Sequence, residues 1–487
     1  MSRCASPISR RGAAAMLAIA LLIAGCASVP REAGFDTVRD TVASRVPYQV
    51  KWNRDAAEDA EVRAAVQRML ADALSADEAV QIALLNNRSL QAQYERLGIS
   101  QADVVQAGLL DNPVISITAM SGAGTEKDYD LVQDFLGVIT LAARKKTALA
   151  AFEAVKLDVA NEALRLAADV KSAYFAVQGD EQALELFRTA AGAAEAAAML
   201  AERQREAGTT HRLNQSMQQG FYAQTLLEVA RTEAQLRADR EKLNRLMGLY
   251  GGETRWKLPG RLPELPAALP QEQALEAWAV ERRIDLAALR RESEAIATAL
   301  QFNLDYRWLS VLGVGYSVTE QAEGGTIKGP QLEFGVPLFD RGQARIARLQ
   351  SELRRSEQAL YAAAVNARSE VREARDLLAA AYEQARFLRD TMLPLQQSIV
   401  NETLLRYNGM LLGVYDLLLA KQNQLNAARD FVRASRDFWV AYAQLERAAG
   451  GGLPPEFPHP AASTAPAAQS SPGTPAADQP HPSDGDH

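Results

Sequence analysis

Three hydrophobic patterns divide this chain. Near its start, Ala13 to Ala24 is continuously apolar, follows Arg3, Arg10 and Arg11, and leads into Gly25-Cys26. An apolar run of this kind, about 7–15 residues long, is too short to span a bilayer and reads as a signal peptide covering residues 1–25, with a lipobox ending at Cys26. After residue 26 no stretch is apolar enough to cross a membrane as a helix. Instead, long segments repeat apolar positions at three, four and seven, and short segments alternate with period two.

The helical segments are unusually long. From Ala143 to Glu206 there is no proline, Gly179 and Gly192 are the only glycines, and Ala, Leu, Glu and Arg dominate. At 1.5 Å per residue such a helix extends roughly 90–95 Å, more than one globular core can cover. A counterpart runs from Gln343 to about Met392, where Pro394 ends or kinks it. Shorter partners follow at about Leu213–Met247 and Val414–Ala448. In the latter, Leu417, Leu418, Leu425, Phe431, Phe438, Tyr442 and Leu445 make a coiled-coil seam. The helices alone would suit a coiled-coil scaffold equally well.

The alternating segments alter that balance. Leu312, Val314, Tyr316 and Val318 alternate with Gly313, Gly315 and Ser317, and Ile115, Ile117 and Ala119 alternate with Ser116 and Thr118. In Gln331 to Phe339 the even positions are apolar, until Pro337 and Phe339 end the pattern. Strands are therefore expected at about 113–120, 130–140, 308–319 and 330–339, the second alternating poorly. Gly122, Gly124 and Asp128, and then Gly324 and Gly325, are the expected hairpin turns. Four strands cannot close a barrel, and open edges in hydrocarbon leave backbone groups unpaired at several kcal/mol each. Either three copies close one twelve-stranded barrel, or the hairpins stay in water and cap a helical bundle.

Both halves follow one order: a helix of about 30 residues, two strands around a Gly-rich loop, a very long helix, a break, another long helix. The first half spans 74–250, opening at Leu74-Ser75 with capping-box spacing to Glu78. The second spans 269–449, opening at Leu269-Pro270, with Pro suited to a first turn. Residues 251–268 connect them, and the order reads as a two-fold internal repeat. Residues 26–73 read as an extended, lipidated tether. Residues 450–487, rich in Pro, Ala and Ser, read as a disordered tail.

Charge and chemistry then narrow the options. Cys4 lies in the signal peptide, and Cys26 should carry a diacylglycerol on its thiol and an acyl chain on its new amine, leaving no cysteine for a disulfide or zinc. Ala27 follows it rather than the Asp that marks inner-membrane retention, so the outer membrane is the expected address. A net charge of -7 argues against nucleic acid as partner. His211 stands alone, and His459, His481 and His487 read as solvent residues of the tail, so no metal site is expected. There is no Walker lysine loop and no nucleophile with a neighbouring His and acid, so neither a cofactor nor an enzyme activity is expected. Glu292 and Glu294 lie two apart and do not face each other on a helix.

Several motifs carry a family resemblance. Gly329…Val336-Pro337-Leu338-Phe339-Asp340-Arg341-Gly342-Gln343, Asn86-Asn87…Leu90, Asn112-Pro113 and Tyr407-Asn408-Gly409…Asp416-Leu417-Leu418 resemble the TolC-like outer membrane efflux protein family over about residues 74–449. Arg144-Lys145-Lys146 is a looser counterpart of Arg341-Gly342-Gln343. Within the strand-to-helix motif, Pro337, Phe339, Asp340 and Gly342 are the marked positions. The resemblance implies a mainly α fold with a small membrane β-barrel: a homotrimer with a coiled-coil α-helical tunnel across the periplasm. Its expected role is a passive exit duct in the outer-membrane lipid, docked through a periplasmic adaptor to an inner-membrane pump. The competing class is a lipid-anchored periplasmic scaffold that does not conduct.

Gating is expected where helix pairs turn, at Arg205–Leu213 and Tyr407–Val414, with Gly208 and Gly409 as the breaks. By resemblance and allowing one gap, Asp416 matches an acidic position that narrows the tip, and three copies would form a carboxylate ring. Leu412 could add an apolar constriction, while Leu419 stands where the family has a further acid. Arg205, Arg212 and Arg406 are candidates for latching neighbouring turns or contacting the adaptor. For each charge the alternative is a solvated helix residue.

Overall fold

The element that sets the molecule's dimensions begins at Asp134. Its side-chain oxygens accept hydrogen bonds from the Leu136 and Gly137 amides at 2.9 and 3.1 Å, satisfying donors that a helix start leaves open. The helix that follows runs 72 residues without a break, roughly 108 Å. The computed structural model describes residues 28–121, 125–270, 274–309 and 311–457. Cys4, the signal peptide, Cys26, Gly122, Gly124, His459, His481 and His487 lie outside the described residues.

The first half comprises α1 (Phe35–Ala43), α2 (Ala56–Met69), α3 (Ala76–Asn86), α4 (Arg88–Ala107), β1 (Val114–Ser121), β2 (Thr125–Asp134), α5 (Phe135–Glu206) and α6 (Arg212–Met247). The second comprises α7 (Leu275–Arg282), α8 (Ile284–Asp305), β3 (Leu312–Glu320), β4 (Thr326–Phe334), α9 (Gln343–Phe387), α10 (Leu393–Asn408) and α11 (Val414–Ala448). The four strands form one antiparallel sheet in the order β1-β2-β3-β4.

Several local expectations shift. The second strand lies at Thr125–Asp134, not 130–140, because Asp134 starts a helix and Phe135 onward has no period-two alternation. The fourth strand likewise ends at Phe334 rather than 339. Asp128 is no turn residue: it pairs with Thr118 and Thr319 within the sheet. Gly324 does turn the second hairpin, at φ +90°. Each opening helix of about 30 residues is two helices, broken at Asn87 and at Arg283, where ψ is 114° and 121°. The Ser75–Glu78 capping box is formed in both directions. Its counterpart differs, since α7 starts at Leu275 and Pro270 stands before it. At Pro394 the rod does not end, but its α geometry is interrupted as expected: α9 stops at Phe387, a π turn occupies Leu388–Met392, and α10 starts at Leu393 with the proline in its first turn.

The core sits at mid-length of the long helices, where other segments wrap around them. On α5, buried Val159, Ala163, Val170, Ala173 and Val177 recur at three, four and seven, small enough for close approach of its neighbours. Phe175 stacks on Trp439 of α11 at 5.6 Å, and Phe438 and Tyr442 meet the same indole edge-on at 4.9 and 5.6 Å. The segment joining the halves is tied to these helices through its backbone. Trp439 Nε1 donates to Pro263 O at 3.1 Å, Tyr382 Oη to Ala267 O at 2.8 Å, and Gln178 Nε2 to Arg261 O at 2.8 Å. Asn86 Nδ2 donates to Gly248 O at 2.9 Å and Asn87 Nδ2 to Leu246 O at 2.8 Å, holding the end of α6.

The segment before residue 74 is not an extended tether along its whole length. Helix α1 buries Phe35, Val38 and Val42, and residues after it run extended along α3 and α4. Tyr48 Oη donates to Asp77 at 2.6 Å and Trp52 Nε1 to Glu95 at 2.9 Å. Similarly, residues 450–457 are packed, with Leu453 and Phe457 buried and Gly452 O accepting from Trp278 Nε1 at 3.3 Å. The rest of the tail lies outside the described residues.

Trp439→Ala removes the shared partner of three rings and should lower unfolding free energy by about 3–5 kcal/mol, read as a fall in the thermal midpoint. Burial, reinforced by neighbouring Asp239, raises the Asp180 carboxyl to about 6 against the opposing pull of Arg436. The folded chain then holds a proton that the unfolded chain releases, so stability from this site is present at acid pH and is lost as pH rises toward 6. Replacing Asp180 with Asn should remove that part of the pH dependence, measured as a flatter midpoint-versus-pH curve between about pH 4 and 6.

Candidate functional site: the exposed sheet and the distal helix turns

The register divides the sheet into two unlike faces. Ile115, Leu131, Tyr316 and Pro330 lie across it in one row, Ile117, Tyr129, Val318 and Lys328 in the next, and Val314 pairs with Leu332 and Leu312 with Phe334. This face is apolar over the rungs nearest the helices, Gln133 apart, turns polar toward the hairpins at Lys328, Lys127, Glu320 and Thr326, and is uncovered: Ile115 is 70% exposed and Leu332 72%. The opposite face carries Glu126, Asp128, Asp130, Asp134 and Glu333 among Ser116, Thr118, Ser317 and Thr319, with no Lys or Arg among its described positions. Asp128 accepts from Thr319 Oγ1 at 2.6 Å across the strands. On this face Val132 packs over Gly313 and Gly315, where a Cβ at Gly315 would meet Leu131 O at 2.6 Å.

β2 and β3 are paired on both sides, whereas β1 and β4 each have one. Pro330 sits in β4, the position an edge strand tolerates. Among the described residues no helix is long and apolar enough to cross a membrane.

At the helix end of the sheet, Asp340 Oδ1 accepts from the Gly342 amide at 2.8 Å, and Gly342 takes φ +73° to start α9. Phe339 is 92% exposed, its carbonyl accepting from Gln343 Nε2 at 2.9 Å, and Pro337 is half-buried. The first half does this differently. Arg144, expected as a counterpart of Arg341, lies nine residues inside α5, donating to Leu109 O at 3.3 Å and facing Asp111 at 3.8 Å.

The two turns at the far end are neighbours: Tyr415 Oη donates to Gln204 Oε1 at 2.7 Å, joining α11 to α5. Both have one hydrogen-bond pattern. Thr209 N donates to Gln204 O at 2.8 Å, and Leu411 N to Arg406 O at 2.9 Å. The left-handed residue is Gly208 at φ +75° in the first turn but Met410 at φ +58° in the second. Gly409, expected as the break, has φ −79° and ends the helix conventionally. The Met410 side chain is 94% exposed and Leu411 77%.

Asp416 is exposed in the first turn of α11, and its Oδ2 accepts from the Gly413 amide at 2.9 Å, so it caps its own helix. Leu412 is half-buried and Leu419 is exposed. Arg205, Arg212 and Arg406 are exposed and join no ion pair among the described residues. Spacing does not reveal Gln204 or Tyr415, because their bond forms only when the two turns meet, nor Met410, because Gly409 beside it is the residue that ordinarily takes the left-handed conformation.

No family model and no curated protein sequence matches the chain. Solved structures do. The Campylobacter jejuni CmeC outer membrane channel superposes with TM-score 0.67 at 14% identity, over 78% of this chain and 86% of that one. The Vibrio cholerae outer membrane protein VceC gives 0.63 at 17%, over 77% and 96%. The open state of the Neisseria gonorrhoeae MtrE outer membrane channel gives 0.61 at 17%, over 77% and 89%. The fold is that of the TolC-like outer-membrane channels. In this TolC-like fold the four strands and the distal turns sit at opposite ends of α5 and of the α9–α10 rod.

Met410→Gly should relieve the left-handed strain, less the entropy glycine loses, for a net stabilisation of about 0.5–1 kcal/mol. Slower amide exchange at Leu411 is the expected reading.

Proposed function

We propose that the protein is an outer-membrane exit duct of a tripartite efflux system. One observation carries the reading: a short sheet with a bare apolar face, an acidic opposite face and two unpaired edges, set at the end of helices roughly 100 Å long. The apolar face meets lipid and the acidic face lines water. A homotrimer joins β4 of each copy to β1 of the next, closing twelve strands and leaving no edge in hydrocarbon. The helices continue the duct through the periplasm as a coiled-coil tunnel, and the similar element order of the halves reflects a two-fold repeat.

The solved outer-membrane channels with the same fold support this reading. Cys26 anchors the mature chain by its lipids in the outer membrane. The distal turns meet a periplasmic adaptor, through which an inner-membrane pump supplies the energy, and Arg205, Gly208, Arg212, Arg406 and Gly409 lie on that surface. Conduction is passive and needs no catalytic group or cofactor. Asp416 and Leu412 narrow the entrance, and Asp416 has two tasks, since its carboxylate both caps α11 and adds charge to a ring of three. A non-conducting scaffold would leave the uncovered apolar face without a role.

In planar bilayers the purified protein should form cation-preferring channels with the mass of a trimer. Asp416→Ala should reduce that preference while conduction persists. A monomer that binds vesicles but never conducts would overturn the duct, and channels indifferent to Asp416→Ala would remove the gate while leaving the duct.

A further inference from the structure

Beside the marked strand-to-helix motif lies a cleft of about 530 Å³, lined by Arg307, Trp308, Leu338, Phe339, Arg341 and Ile346. Its position is set by the register. Leu312 and Phe334 pair at the last rung of the apolar sheet face; Trp308 lies just before one and Phe339 just after the other. The cleft therefore sits where the apolar face gives way to the helices.

Its chemistry is two-sided. Phe339 is 92% exposed, Leu338 65% and Trp308 53%, an apolar surface that no described residue of the single chain covers. Two guanidinium groups lie close to the same indole, Arg307 Cζ 4.8 Å and Arg341 Cζ 5.9 Å from the ring centroid. Neither joins an ion pair among the described residues. The nearest acids in sequence are committed elsewhere, Asp340 to the Gly342 amide at 2.8 Å and Asp305 to Gln301 Nε2 at 2.7 Å. Two guanidinium groups that line one cleft and join no ion pair suit a phosphate, which each can grip through paired N–H donors, and an adjoining tryptophan suits the boundary between head group and chain.

We propose that this cleft binds an anionic phospholipid, with Arg307 and Arg341 on the phosphodiester and Trp308, Leu338 and Phe339 against the glycerol and upper acyl chains. The inference rests on the reading of the sheet as membrane-spanning, and adds to it a head-group site on the helix side of the bilayer. A lipid held there bridges the end of α8 to the start of α9, two elements joined through the β3–β4 hairpin. An inorganic anion would use the arginines but leave the apolar half of the cleft bare, so the lipid is the fitting occupant.

The test is native mass spectrometry of the detergent-purified protein titrated with phosphatidylglycerol or phosphatidylcholine, for wild type, Arg307→Gln/Arg341→Gln and Arg307→Lys/Arg341→Lys. Wild type should retain phosphatidylglycerol in preference to phosphatidylcholine by about tenfold, the Gln pair should lose the preference, and the Lys pair should keep part of it. Equal retention of both lipids by wild type, or an unchanged preference in the Gln pair, would overturn the site. Displacement of phosphatidylglycerol by inorganic phosphate at equal concentration would also overturn it, in favour of an anion site. Trimer mass and bilayer conductance of the same preparations report on the duct separately: a conducting Gln pair without the preference supports both readings, and conducting wild type without the preference sinks the lipid site alone.

Discussion

The rest of this structure depends on the backbone hydrogen bonds that a four-stranded sheet leaves open. Each strand interior is paired, but the outer sides of β1 and β4 present rows of N–H and C=O groups. In water such edges are a liability, and in hydrocarbon each unpaired group costs several kcal/mol. No described residue covers them: β1 is exposed along its whole length, and the helices leave the sheet at one end rather than packing across it. A sheet with a bare apolar face and two bare edges is therefore half of an interface. In the proposed assembly its companion surface is the same sheet of another copy, and this is the physical reason for proposing a ring of copies.

The helices pose the opposite problem. A helix of 72 residues satisfies its own backbone, yet has too little core of its own to hold a fixed direction. Here the direction comes from a girdle at mid-length, where Tyr382, Phe438, Trp439 and Tyr442 pack on one another, Trp439 stacks on Phe175 of α5, and the connector is tied on by side chains bonding its carbonyls. Away from the girdle the rods rely on small residues and exposed charge, which suits walls that meet other copies and water. Asp180, buried beside Asp239 and Arg436, puts an ionisable group inside the girdle, where burial disfavours its charged form.

The two halves use different residues for the same geometry. The first starts its long helix with an Asp cap, the second with a left-handed Gly342. The first closes its distal turn with Gly208, the second forces Met410 into the same region. An exposed, strained methionine beside exposed Leu411, across the tip from Gly208, makes the two turns unequal in both rigidity and surface. Such local differences show that equal element order does not entail equal chemistry at either end.

The local chemistry of the chain is enough to determine its long helices, because runs of Ala, Leu, Glu and Arg without proline leave the backbone few alternatives; α11 occupies the expected Val414–Ala448. It also determines the alternation of β3, where small and apolar residues change places at every step. Three-dimensional packing decided the rest. The second strand moved because Asp134 could cap a helix, and capping competes with pairing only once neighbours are in place. The segment before residue 74 reads as a tether until α3 and α4 provide partners for Tyr48 and Trp52. The Tyr415–Gln204 bond and the placing of Arg341 over Trp308 join positions far apart in sequence, so no local pattern encodes them. Sequence periodicity records which face of an element is apolar; only the fold decides which faces meet, and which are left for something else to cover.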